Sequence, residues 1–164
     1  MSDSLRQVLF VCTGNSARSI LAEALMNQLG RGRFQAHSAG SHPRGEVHPG
    51  ALRTLQAHGL PVDGLRSKSW DEFARPDAPV LDYVFTVCDS AAGETCPHWP
   101  GQPMTAHWGL PDPAAVEGPD EEVQKAFVDA FVTLRRRIEL MLALPVATLD
   151  RLSLRGRLQD IGRS

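Results

Sequence analysis

Three cysteines, one arginine and one aspartate carry most of the chemistry this sequence can offer. Cys12 opens the run Cys12-Thr13-Gly14-Asn15-Ser16-Ala17-Arg18-Ser19, between a short apolar stretch and a segment of helical periodicity. A loop in that setting can curl its backbone N–H groups around a tetrahedral oxyanion at the positive end of a helix. Gly14 permits the tight curl. Arg18 can fork two N–H bonds onto the anion's oxygens, which the point charge of a lysine cannot do with the same geometry. The amides, the helix dipole and Arg18 together are expected to lower the pKa of Cys12 and hold it as thiolate, the attacking form. Ser16 or Ser19 can add a hydroxyl hydrogen bond, and Ser19 is equally suited to capping the helix. A cysteine that is only a small buried hydrophobe is the plainer alternative. It leaves the joint placing of cysteine, glycine and arginine unexplained. A mononucleotide loop is excluded, since neither Gly-Lys-Ser/Thr nor Gly-x-Gly-x-x-Gly is present.

These residues need a frame that brings them together. Gln7 to Cys12 reads as a buried strand broken at once by Gly14 and Asn15. From Ala17, the residues Ile20, Leu21, Ala24, Leu25 and Leu29 recur at helical spacing, and Gly30 offers a left-handed cap. Arg33 to Ala39 can form a second strand, and Gly40 to Gly50 reads as a loop. Ala51, Leu52, Leu55 and Leu60 predict a second helix, and Trp70, Phe73 and Ala74 a short third one. Val80 to Val87 is a clear strand that stops at Cys88, and a short fourth strand is expected around Met104 to His107. Asp120-Glu121-Glu122 starts the longest helix, which runs through Val123, Phe127, Phe131, Leu134, Ile138 and Met141 until Pro145 stops it. Arg135-Arg136-Arg137 reads as a solvated face of that helix, and residues 146–164 as a polar tail, amphipathic at best. Strands alternating with helices imply right-handed crossovers and a parallel sheet covered on both faces, with ligands at the strands' carboxyl ends. Cys12, Cys88 and the loop after the fourth strand should then share one rim.

The 164 residues, 42% hydrophobic and 22% charged, match a single α/β domain. Seventeen Lys and Arg against nineteen Asp and Glu give a net charge of −2, so no global field favours nucleic acid. No apolar run approaches the roughly 18 residues of a membrane span, and the start lacks the layout of a secretory signal, so a cytosolic protein is expected. There, three cysteines stay reduced and are reactive or buried rather than structural disulfides.

VCTGNSARS, TVCDSAAGETCP and HWGLPDPA together resemble the arsenate reductases built on the low molecular weight tyrosine phosphatase fold. The resemblance runs from the first strand through the long helix. It implies a flavodoxin-like four-stranded parallel sheet of order 2-1-3-4, with an arsenate-binding loop from Cys12 to Arg18. It also implies a three-cysteine relay through Cys12, Cys88 and Cys96, with Asp112 as general acid in a proline-flanked loop. Such enzymes hold no tight cofactor and usually act as monomers. Electrons would come from thioredoxin, or from glutathione with glutaredoxin, and phosphate or sulfate would compete with arsenate. Chemistry favours the relay as well: arsenate reduction takes two electrons, the number a dithiol yields on forming a disulfide. The chain from Asp89 to Thr95 is small and flexible enough to let Cys96 reach Cys88.

Other readings remain beside this one. Cys88 can be core packing, Cys96 an incidental loop thiol, and Asp112 a turn starter before Pro113. Zinc on Cys88, Cys96 and His98 lacks a fourth ligand. His107 and Trp108 are read as packing and loop positioning. Some family members bind potassium through Asn, Glu, Ser and Asp; Asn15, Glu23 and Ser38 match, but Ser69 stands at the Asp position. Ala17 replaces a cysteine often found in the family's loop. A phosphotyrosine phosphatase would need Cys12, Arg18 and Asp112 but neither of the other cysteines. An arsenite-sensing thiol protein would bind without turnover.

Overall fold

Val8, Leu9, Phe10 and Val11 are all fully buried in succession, which happens only where both faces of a strand are covered. That strand, β1 (Arg6–Val11), lies inside a parallel sheet in the computed structural model, which describes residues 5–88, 103–146 and 149–164. β1 pairs with β2 (Phe34–Ala39) on one side and β3 (Tyr83–Thr86) on the other, and β3 pairs with β4 (Met104–His107). The order is β2-β1-β3-β4, as the resemblance implied. Register aligns Val11 with Ala39 and Thr86, and Thr86 with His107. The chain therefore leaves all four strands at one edge, with Cys12, Gly40, Cys88 and Trp108 all close beyond it.

Four α-helices accompany the sheet among the described residues: α1 (Arg18–Leu29), α2 (Pro49–Ala57), α3 (Asp120–Leu142) and α4 (Arg151–Ile161). A 3-10 turn covers Trp70–Phe73. α1 packs on β2 and α3, and α2 also packs on α3. Asp120, Glu121 and Glu122 fill the first turn of α3, where the macrodipole favours negative charge. Trp108 is fully buried, with its ring stacked 4.1 Å from Phe85. This is the packing role expected of it. The third strand is shorter than Val80–Val87: Asp82 takes the Gln7 N–H on its carboxylate, and Val80 is exposed. Gly30 has φ −96° and is no left-handed cap. A Cβ there would lie 2.8 Å from the Met26 carbonyl oxygen, so close packing is what requires glycine.

Two readings of the C-terminal region are corrected. Residues 149–164 are no polar tail. α4 buries Leu154, Leu158 and Ile161, a stripe at spacings of four and three, against β4. The Leu158 carbonyl accepts the indole N–H of Trp108 at 2.9 Å. Arg137 is likewise no solvated residue, being only 5% exposed. Its Nη1 donates to the Trp108 and Gly109 carbonyls at 2.8 and 3.2 Å, and its Nη2 to the Ser164 carbonyl at 3.2 Å. Arginine serves here because its fork can satisfy several carbonyls at once. Leu158→Ala should cost about 2–5 kcal/mol, the usual range for a buried leucine. Urea unfolding measures it, and a loss below about 0.5 kcal/mol would mean that α4 is peripheral to the fold.

Candidate active site

The turn from β1 to α1 is shaped by hydrogen bonds on its outer side. The carbonyls of Thr13, Gly14 and Ser16 accept from the backbone N–H groups of His42, Arg44 and His48 at 2.9–3.0 Å, and Ser67 Oγ adds a bond to Gly14. With those carbonyls held outward, the loop's amides are available on the inner side. Gly40 allows the approach: a Cβ there would stand 2.5 Å from the Thr13 oxygen and 2.7 Å from that of Cys12. Asn15 takes a positive φ of 46°, a conformation that asparagine tolerates better than most residues. Its carboxamide is fixed at both ends, with Nδ2 donating to Ser19 Oγ at 2.8 Å and Oδ1 accepting from the Lys68 N–H at 2.9 Å. Ser19 therefore supports the loop instead of capping α1, whose start has no side-chain cap.

A cavity of about 350 Å³ opens over this loop, lined by Cys12 through Arg18 together with His42, Arg44, Cys88 and Asp112. Cys12 and Cys88 are 6% and 3% exposed, and both thiols lie in the wall of this cavity. The Thr13 N–H donates to Cys88 Sγ at 3.2 Å, and the Thr13 hydroxyl and that thiol share a further hydrogen bond at 3.5 Å. The expected lowering of the Cys12 pKa is not found. The hydrogen bond with Cys88 and burial push the Cys12 thiol far up, while Arg18 pulls it down. Two thiols in contact cannot both ionise readily, because the second charge would face the first in a region shielded from water.

Arg18 bridges the loop and the segment after β4. Its Nη1 donates to the Leu110 carbonyl at 2.8 Å, and its Nη2 lies 3.4 Å from Asp112 Oδ2. Its Nε is buried with no partner among the described residues, so a donor is left over for an anion. Asp112 also starts a short turn, with Oδ1 accepting the Ala114 N–H at 3.0 Å. Turn starter and pocket carboxylate are therefore one residue, and the two readings do not compete.

Asn15, Glu23 and Ser38 do not fit a potassium ion. Ser38 donates its hydroxyl to Glu23 Oε1 at 2.5 Å, and Lys68 Nζ stands 3.8 Å from the same oxygen. The buried carboxylate already has a cation supplied by the chain. Burial raises the Glu23 pKa and lowers that of Lys68, and each partner opposes the other's shift. Ser69 caps the 3-10 turn by accepting the Asp71 N–H. Among the described residues no group of three His, Cys, Asp or Glu could hold a metal. No helix among them is long and apolar enough to cross a membrane.

Cys12, Arg18, Cys88 and Asp112 thus meet in one cavity, as their positions along the chain predicted. Cys96 and His98 lie outside the described residues. His42, Arg44, Ser67 and Lys68 are the site residues that sequence reasoning missed. Their loops carry no periodic signal, and the only local hint was a density of Gly, Pro and basic residues between 40 and 50.

Comparison with known proteins adds independent evidence. Residues 7–151 match the family model of the low molecular weight phosphotyrosine protein phosphatases. An arsenate reductase of Halalkalibacterium halodurans is 35% identical over 132 residues, covering 80% of this chain and 91% of that protein. A solved arsenate reductase in a phosphate-binding state superimposes with a TM-score of 0.65 at 28% identity, covering 85% of this chain and 98% of that one. A thioredoxin-dependent arsenate reductase of Corynebacterium glutamicum gives a TM-score of 0.58 at 26% identity, covering 85% of this chain and 65% of that one.

Proposed function

This chain belongs to the arsenate reductases of the low molecular weight phosphotyrosine protein phosphatase family, and from that membership we propose that it reduces arsenate to arsenite by a relay of three thiols. The observation that carries the reading is the placing of two buried thiols, Cys12 and Cys88, in the wall of one oxyanion cavity. A phosphatase has no use for the second thiol. A reductase needs one within bonding reach of the first.

The chemistry balances on residues already named. Arsenate enters the amide nest and takes donors from Arg18, whose spare Nε suits it. As a doubly charged oxyanion it is itself a base, so it can accept the Cys12 proton that the neighbouring thiol helps to retain. Cys12 Sγ then attacks arsenic, an As–O bond breaks, and Asp112 delivers a proton so that water leaves. Arsenic is still pentavalent in this adduct. Cys88 Sγ, supported by the Thr13 N–H, attacks Cys12 Sγ. The S–S bond forms, the S–As pair stays on arsenic, and trivalent arsenite departs with both electrons. Cys96 next attacks Cys88, which frees Cys12 and moves the disulfide to Cys88–Cys96. An external dithiol of the thioredoxin type reduces it, in keeping with the thioredoxin-dependent relative.

We expect NADPH to be consumed in proportion to arsenate when thioredoxin and its reductase are supplied, and more slowly with glutathione and glutaredoxin. Rapid hydrolysis of aryl phosphates without arsenate-dependent NADPH use would favour the phosphatase reading instead. The cytosol, where thioredoxin keeps thiols reduced, is the compartment that suits this cycle.

A further inference from the structure

In-line attack by Cys12 from the floor of the cavity sends the departing oxygen away from the sulfur, toward the mouth. Arg44 lines that cavity with Asp112. Its side chain lies over the loop, so that a Cβ on Gly14 would be 3.1 Å from its Nε and 3.4–3.5 Å from its Cγ and Cδ. The backbone fixes it there: the Arg44 N–H donates to the Gly14 carbonyl at 3.0 Å, and the Gly45 N–H to Ser67 Oγ at 3.1 Å, which in turn bonds the same carbonyl. Arg18 has Nη1 engaged by Leu110 and Nη2 by Asp112, and only its Nε is left over. Arg44, by contrast, has no carboxylate partner among the described residues. Arg44 is exposed where Cys12 is only 6% exposed, so the solvent side of the cavity carries a positive group that no described carboxylate neutralises.

We propose that Arg44 determines specificity at this site by holding the outward oxygen of a free inorganic oxyanion, and so favours arsenate over phosphate esters. An inorganic anion offers a charged or hydroxylic oxygen in that direction, to which a guanidinium can make a charge-assisted bond. An ester offers its organic group there, and an apolar substituent gains nothing from that bond while it costs the guanidinium some of its water. The inference takes its substrate from the arsenate reading, but the binding of the anion can be tested apart from reduction.

The test compares Arg44→Met, which keeps a stem over Gly14 without the charge, with Arg44→Lys, which keeps the charge. Sulfate binding by calorimetry is measured first, because sulfate needs no reductase chemistry. Arg44→Met should weaken sulfate roughly tenfold, the value of one charge-assisted hydrogen bond, and Arg44→Lys should recover most of that loss. KM for arsenate should rise by the same factor with kcat little changed, whereas KM for an aryl phosphate should move less than about threefold. Sulfate affinity unchanged in Arg44→Met overturns the proposal. So does an aryl phosphate KM that rises as far as that of arsenate. Loss of sulfate binding in a protein that never reduces arsenate would leave Arg44 as the anion's partner and defeat only the reductase reading.

Discussion

Cys88→Ser is expected to release no arsenite above background, whatever dithiol is supplied, while aryl phosphate hydrolysis persists at or above the level of the unaltered protein. The two halves of that result have one cause. Cys88 lines the same cavity as Cys12, so a hydroxyl in its place cannot accept the bond to sulfur and arsenic stays pentavalent. The same neighbour is also the largest influence holding the Cys12 proton in place, and removing it makes Cys12 more acidic. Hydrolysis of a phosphate ester uses the amide nest, Arg18 and Asp112, and a serine hydroxyl can still accept the Thr13 N–H that Cys88 Sγ accepts. Sustained arsenite release by Cys88→Ser would remove the second thiol from the reaction.

Cys96→Ser should behave differently, with about one arsenite per protein followed by a complete stop. Cys12 and Cys88 together supply the two electrons of a single turnover, and the variant keeps both. Reacting groups held in contact reach effective molarities on the order of 10⁵ M and above, so this first round needs no external thiol. The disulfide it leaves joins two residues that are each less than a tenth exposed, out of easy reach of another protein. In the proposed relay Cys96 carries the oxidation outward. Quenched-flow counting of arsenite separates the burst from steady turnover, and a steady rate equal to that of the unaltered protein would contradict the relay.

The chemistry of the site was more legible in the sequence than its support. A strand, a turn and a helix placed Cys12, Gly14 and Arg18 correctly because all three requirements are local. Cys88 followed from the rule that parallel strands end along one edge, and Met104–His107 from its flanking loops. What stayed hidden depends on groups far apart in the chain. The bonds from residues 42–48 to the anion loop, and the Lys68–Glu23 pair, join segments with no shared periodicity. Arg137 sits among charged neighbours that mask its burial, and α4 is so polar on average that its three buried residues barely register. The acidity of Cys12 was misjudged for a similar reason. The nest and Arg18 are written locally, but the opposing thiol arrives from β3.

The contact between the first two sulfurs bears most of the mechanism, and it can be trapped. Cys96→Ser, treated with one equivalent of arsenate, quenched with an alkylating agent and digested, should yield a single disulfide-linked peptide pair joining Cys12 to Cys88, in amounts equal to the arsenite formed. Arsenite released while Cys88 is recovered alkylated would show that the electrons came from elsewhere, and the account would fail.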